Sequence, residues 1–262
     1  MPTGSINFDR AASFYDETRG FPPGEEQAVA NLFVRAGGLA PASRLLEIGV
    51  GTGRIALPLA PHVAALVGLD LSRAMMRRLL DRRTTEPVHL VQGDATHLPF
   101  PPGCFDAVLA VHVFHLIPTW EQVLQGLVRV LRPGGLLLHG YNQRDEGDIA
   151  ALWSAWRASL AEEGLPEHVG VQDMRQETFL LEAGWQPTGE RLSHNYTLIY
   201  RPQNLIDGIQ TRRFSSTWRL TDAQIERGMA AVRAEALSRF GDPDRPVEMS
   251  GGFVVEAYHP PR

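Results

Sequence analysis

Short apolar runs alternate with amphipathic stretches through the first half of the chain. The runs at 44–48, 64–69, 87–91, 105–111 and 135–141 suit strands buried in a sheet. Between them, 53–61, 72–83 and 119–131 read as helices, and 25–37 reads as a helix closed by Gly37-Gly38. Strands alternating with helices imply a parallel sheet with right-handed crossovers. After Tyr141 the pattern changes. Helices are expected at 148–163 and 173–183, the second closed by Gly184, with a strand from about 185 to 200. Residues 202–240 are largely helical, with an amphipathic stretch at 221–239. Gly241-Asp242-Pro243-Asp244 breaks it before a last strand, Phe253 to Tyr258.

The chemistry sits where strands end. Residues 45–54 read Leu-Leu-Glu-Ile-Gly-Val-Gly-Thr-Gly-Arg, so Glu47 precedes glycines at 49, 51 and 53 in a strand-to-helix turn. Glycine there tolerates positive φ and lets the backbone approach a ligand. The rhythm is not that of the dinucleotide fingerprint, and a pyrophosphate would sit poorly beside Glu47. A cationic or hydrogen-bond-donating group would sit well. The next strand ends at Asp70, placed to accept from both hydroxyls of a ribose, and Ser72 is free to cap the helix that follows. The third strand ends at Asp94, a candidate acceptor for an adenine amino group. Val130-Leu131-Arg132-Pro133-Gly134-Gly135 is a helix stop followed by a strand start.

In order and at βα spacing, these features resemble the class I S-adenosylmethionine-dependent methyltransferases, in their type 11 small-molecule branch, over residues 8 to 142. The resemblance implies an α/β fold: a Rossmann-like, mostly parallel sheet of seven strands with helices on both faces and a helical cap inserted around the sixth strand. Residues 1–145 would form an N-terminal lid and cofactor-binding core. Residues 146–262 would complete the sheet and carry the cap, all as one integrated domain. The resemblance places S-adenosylmethionine on Glu47, Gly49, Gly51, Gly53, Asp70, Leu71, Met75, Asp94 and Ala95. Leu71 and Met75 would flank the adenine, and Asp94 with Ala95 would meet its amino group. Glu47 either organises the methionine end of the cofactor or accepts backbone N–H groups to stiffen the turn. Arg54 is expected to face solvent. The leader Tyr15-Asp16-Glu17-Thr18-Arg19 resembles an element that folds over the cofactor, with Arg19 and Tyr15 meeting its carboxylate.

Methyl transfer from a sulfonium needs alignment and sometimes proton removal, but no protein nucleophile. The 105–111 strand runs into His112-Val113-Phe114-His115, at the sheet edge where open α/β folds place their sites. Either imidazole can take a proton from a hydroxyl or amine, and His112 can instead only line the cofactor. An i, i+3 pair lacks further ligands, so no metal is expected. Trp153, Trp156, Tyr196, Tyr200, Arg201, Arg212, Arg213, Phe214 and Trp218 are the cap candidates for the acceptor. Taken singly, each is better read as packing.

Composition narrows the partners. The net charge is −5, which argues against a surface built to hold nucleic acid. All 25 basic residues are arginines, a usage that a GC-rich genome gives. No apolar run reaches the roughly 18 residues of a membrane span. A single cysteine, Cys104, excludes an internal disulfide and suits a cytoplasmic address. The expected partner is a small-molecule methyl acceptor, with the methylated atom and the oligomeric state left open. The alternatives are an RNA methyltransferase of the wobble-uridine kind and a non-catalytic S-adenosylmethionine-binding protein. A nicotinamide oxidoreductase fails on the glycine rhythm.

Overall fold

The computed structural model describes residues 5–143, 147–165, 178–189 and 191–261. Five strands follow one another as expected: β1 (Arg44–Ile48), β2 (Ala65–Asp70), β3 (Val88–Gln92), β4 (Phe105–Val111) and β5 (Leu131–Gln143). Three more complete the described sheet: β6 (Gln186–Pro187), β7 (Leu192–Tyr200) and β8 (Val247–His259). The order is β3-β2-β1-β4-β5-β8-β6, with β7 paired to β8. β1 runs parallel to both β2 and β4, β3 parallel to β2, and β5 parallel to β4, while β6 is antiparallel to β8. The Rossmann-like, mostly parallel sheet is thus present, with eight strands where seven were expected. The extra one arises because the 185–200 run is two strands. Thr188, just after β6, still donates to the Ala257 carbonyl of β8 before the chain leaves the sheet.

The described helices are α1 (Tyr15–Arg19), α2 (Glu26–Gly37), α3 (Ala56–Leu59), α4 (Arg73–Arg82), α5 (Trp120–Val130), α6 (Asp148–Ala161), α7 (Thr178–Glu182), α8 (Pro202–Gln210) and α9 (Asp222–Phe240). The helix expected at 173–183 begins at Thr178 among the described residues, and 173–177 lie outside them. α2 ends on Gly38 in the left-handed region, and α9 starts with a reciprocal Thr221–Gln224 capping box.

The chain divides into two compact units. The first comprises 1–141, 173–194 and 253–262 and holds the parallel strands. Its strands are buried on both faces. Leu45, Leu66 and Leu109 pack with Val29 and Phe33 of α2, while Leu46, Ile48 and Val108 pack with Val123, Leu124 and Leu127 of α5. This explains the near-continuous apolar runs. The second unit comprises 142–172 and 195–252, with its own core of Leu152, Trp156, Ile209, Met229 and Val232. α6 packs along α9, where a side chain at Gly228 would run into the Trp156 ring.

The cap candidates all fall in this second unit, and those with described contacts hold it together. Trp156 is buried and Trp153 stacks edge-on to Phe214. Arg212 donates to the carbonyls of Thr217 and Leu220 and pairs with Asp222, and Arg201 donates to the Asp244 carbonyl. No described helix is long and apolar enough to cross a membrane.

Candidate active site

Sheet order places the site. Strand order reverses between β1 and β4, and the carboxyl ends of parallel strands open onto a crevice at such a point. Register aligns Ile48 with Leu69 on one side and Ala110 on the other. The turn after β1 therefore lies level with Asp70 and with the end of β4, where His112 follows.

The turn itself needs its glycines. Gly49, Gly51 and Gly53 all have positive φ, at 71°, 55° and 79°. A Cβ at Gly49 would meet Val113 Cγ2 at 2.8 Å, and one at Gly53 would meet Leu79 Cγ at 2.6 Å. Gly51 faces the Met75 methyl, where a Cβ would lie 3.4 Å away. Space beside Gly51 is thus the more open, and it is Gly51 that engages the next strand. Its N–H donates to Asp70 Oδ2 at 2.8 Å, and the Ser72 N–H donates to Asp70 Oδ1 at 2.7 Å. Ser72 caps α4 by accepting from the Met75 N–H. Burial raises the Asp70 carboxyl above its usual range, the two N–H groups oppose that, and Asp9 adds to it.

Glu47 is buried at 2% exposure. Four of the turn's N–H groups have acceptors other than Glu47: Gly49 and Val50 donate to the Leu69 carbonyl, Gly51 to Asp70, and Gly53 to the Val50 carbonyl. Turn-stiffening, one of the two roles open to Glu47, is thus done by other acceptors. Its Oε2 has no hydrogen-bond partner among the described residues. Burial pushes this carboxyl up to about 8, with Arg54 opposing and Asp70 adding. A buried, unpaired acid beside glycines is suited to a cation or a donor supplied by a ligand.

That state has a consequence for stability. A carboxyl that ionises near 4.5 unfolded and near 8 folded binds more protons when folded, so stability falls as pH climbs through that window. The Glu47→Gln variant is expected to lose this slope, which reaches at most about 1.4 kcal/mol per pH unit. Calorimetric melting temperatures between pH 5 and 8 check it; a variant retaining the wild-type slope would place the titration elsewhere.

Asp94 caps the short 3-10 turn Ala95–His97 and accepts from the Thr96 N–H and hydroxyl and from the Ser5 hydroxyl. Burial raises its carboxyl, but these donors together hold it below the usual range. Ala95 and Met75 are buried and Leu71 is half-buried, on the same edge of the sheet.

The leader is fastened to this edge by Ser5 and Asp9, which the sequence did not single out, and by Asp16. Ser5 reaches Asp94, Asp9 accepts from the Ser72 hydroxyl and the Ala74 N–H, and Asp16 accepts from the Thr52 hydroxyl and pairs with Arg82. Tyr15 stacks edge-on to Phe8, and the Arg19 guanidinium donates to the Thr18 carbonyl. Arg54, expected in solvent, is buried at 7% exposure instead. Its guanidinium lies 4.4 Å from the Phe21 ring centroid and donates to the Arg19 carbonyl, so aromatic faces and a carbonyl replace water around it.

His112 holds a left-handed backbone, φ 50°, immediately after β4. His115 lies in the 3-10 turn Phe114–Leu116. A third imidazole was missed: His139 of β5, aligned with Ala110 and buried among Phe114, Tyr141 and Phe179. Burial, aided by His115, drives it down to about 4, so it is neutral at physiological pH. Its Nδ1 has no partner among the described residues. The signal was available: a lone polar residue inside an apolar strand.

Residues 46–139 match the methyltransferase-domain family. The chain is 39% identical over 117 residues to phosphatidylethanolamine N-methyltransferase of Cereibacter sphaeroides, covering 43% of this chain and 57% of that one. It is 40% identical over 120 residues to phthiotriol/phenolphthiotriol dimycocerosates methyltransferase 1 of Mycobacterium ulcerans, covering 45% and 42%. The alignments thus span about half the length of these curated relatives. The fold is similar to that of the YcgJ protein of Bacillus subtilis, with a TM-score of 0.59, 18% identity, and coverage of 90% of this chain and 99% of that one. Residues 46–139 thus match the type 11 methyltransferase domain, carried on a fold similar to that of solved methyltransferase-like structures.

Proposed function

We propose that this protein is an S-adenosylmethionine-dependent methyltransferase that methylates a small-molecule acceptor. The observation that carries the reading is the pair of acids at the switch point: Asp70, oriented by the Gly51 and Ser72 N–H groups, and the buried Glu47 with its unpaired oxygen. The residues present fit the cofactor. Each Asp70 oxygen takes one backbone N–H and retains a lone pair for a ribose hydroxyl. Glu47 receives the amine of the methionine end. Asp94, which already accepts from the neutral Ser5 hydroxyl, accepts from the adenine amino group beside Ala95, and Leu71 and Met75 flank the ring. Gly49, Gly51 and Gly53 allow close backbone approach. Tyr15 and Arg19 of the leader close over the carboxylate.

When bound, S-adenosylmethionine supplies a methyl group already activated by its positive sulfur. The protein's own work is then to align the acceptor, exclude water and, for a hydroxyl or amine acceptor, hold the leaving proton on His112 or His115. The relatives' names point to lipid acceptors. The family match ends at residue 139, before the cap candidates, so the acceptor is proposed only as a small molecule.

A ligand that binds only the folded state raises its melting temperature. S-adenosylmethionine and its demethylated product are expected to raise it, and nicotinamide cofactors are not. The reverse pattern would refute the cofactor assignment. Transfer of labelled methyl from the cofactor into a metabolite extract separates an enzyme from a non-catalytic binder, and an RNA fraction tests the other acceptor class.

A further inference from the structure

We propose that Arg54 is a positioning residue for cofactor capture, a buried cation that fastens the leader to the glycine turn. The inference rests on the cofactor reading above and concerns a residue that contacts no reacting atom. Arg54 follows the last glycine of the turn, and Gly53's positive φ directs the chain inward there. Its guanidinium stacks over Phe21 at 4.4 Å and lies 5.8 Å from the Phe253 ring centroid, the second ring being on β8. It donates to the carbonyl of Arg19, the last residue of α1. Neighbouring Thr52 donates to Asp16 of the same short helix. The turn and the leader are therefore joined through two side chains of the turn, and only one of these is charged.

A buried guanidinium is costly unless its N–H groups and its charge find partners. Release of the leader removes the Arg19 carbonyl and the Phe21 face from Arg54. Docking of the leader and burial of the cation are then linked through one side chain. A ligand held beneath the docked leader favours that docking, and the coupling is reciprocal.

The experiment titrates S-adenosylhomocysteine into the full-length wild type, R54Q and R54K by calorimetry, with hydrogen exchange of residues 8–22 followed in parallel. R54K keeps the cation but not the planar stack. In both variants residues 8–22 are expected to exchange faster than in the wild type and affinity to fall by about tenfold, while the parallel strands exchange at the wild-type rate. Wild-type exchange of residues 8–22 in folded R54K or R54Q overturns the leader role. Should R54Q not fold, R54K still decides. Failure of the wild type to bind S-adenosylhomocysteine takes down the cofactor reading and this inference together. Binding by the wild type with indifferent Arg54 variants takes down this inference alone.

Discussion

Replacing Asp70 by alanine is expected to weaken binding of S-adenosylhomocysteine at least about a hundredfold while the sheet stays folded. Two charge-assisted hydrogen bonds to ribose hydroxyls are lost, and bonds to a charged acceptor contribute about 1.5–3 kcal/mol each. The substitution also strips the Gly51 and Ser72 N–H groups of their acceptor. Water can satisfy them in the free protein, because the carboxylate is only half-buried. A bound cofactor would displace that water and leave the groups unpaired, which adds to the loss. The cost to folding is smaller, since Ser72 still caps α4 through its own hydroxyl. Asp70→Asn is the informative companion. It keeps one acceptor oxygen but turns an NH₂ toward one of the two backbone donors, so an intermediate loss is expected. Calorimetric titration, with the melting temperature as a check on folding, reads both variants. Unchanged affinity in folded Asp70→Ala would remove Asp70 from the cofactor site.

The parallel core was legible because its strands are buried on both faces. Leu45 and Leu46 point to opposite sides and both are fully covered, so the run is apolar without alternation. The acid-led turn was legible because its backbone demands are local: three positive-φ residues admit little besides glycine. Arg54 was not legible. An arginine at a helix start is ordinarily solvated, and its burial depends on Phe21 and Phe253 from near the two ends of the chain. The leader's anchors were hidden for the same reason. Asp9 reaches Ser72 across 63 positions and Ser5 reaches Asp94 across 89, and no local pattern marks such closures. His139 was legible in principle, as the single polar side chain in an apolar run. It lacked a reason to matter until Phe114 and Phe179 were seen around it.

Loss of the acting base, His112 or His115, is expected to lower turnover by about 10²–10⁴ while cofactor affinity stays nearly unchanged. The structure separates three imidazoles by environment. His139 is driven down to about 4, so it neither carries nor takes up a proton at neutral pH. Only His112 and His115, both half-buried at the carboxyl edge of β4, remain as acceptors there. His112 is further marked by its backbone, since a left-handed residue after a strand persists only where its surroundings fix it. The substitutions must respect that difference. His112→Asn suits the site because asparagine adopts the left-handed region more readily than alanine, whereas His115→Ala meets no such constraint. The wild-type rate should rise with pH as the acting imidazole loses its proton, because only the neutral ring accepts one. That rise should vanish in the variant that removes the base and persist in the other. An acceptor already ionised, such as a carboxylate, needs no base, and then both variants would be mild and the profile flat. Measured with a hydroxyl or amine acceptor, near-wild-type turnover in both variants would leave alignment alone as the protein's contribution to the rate.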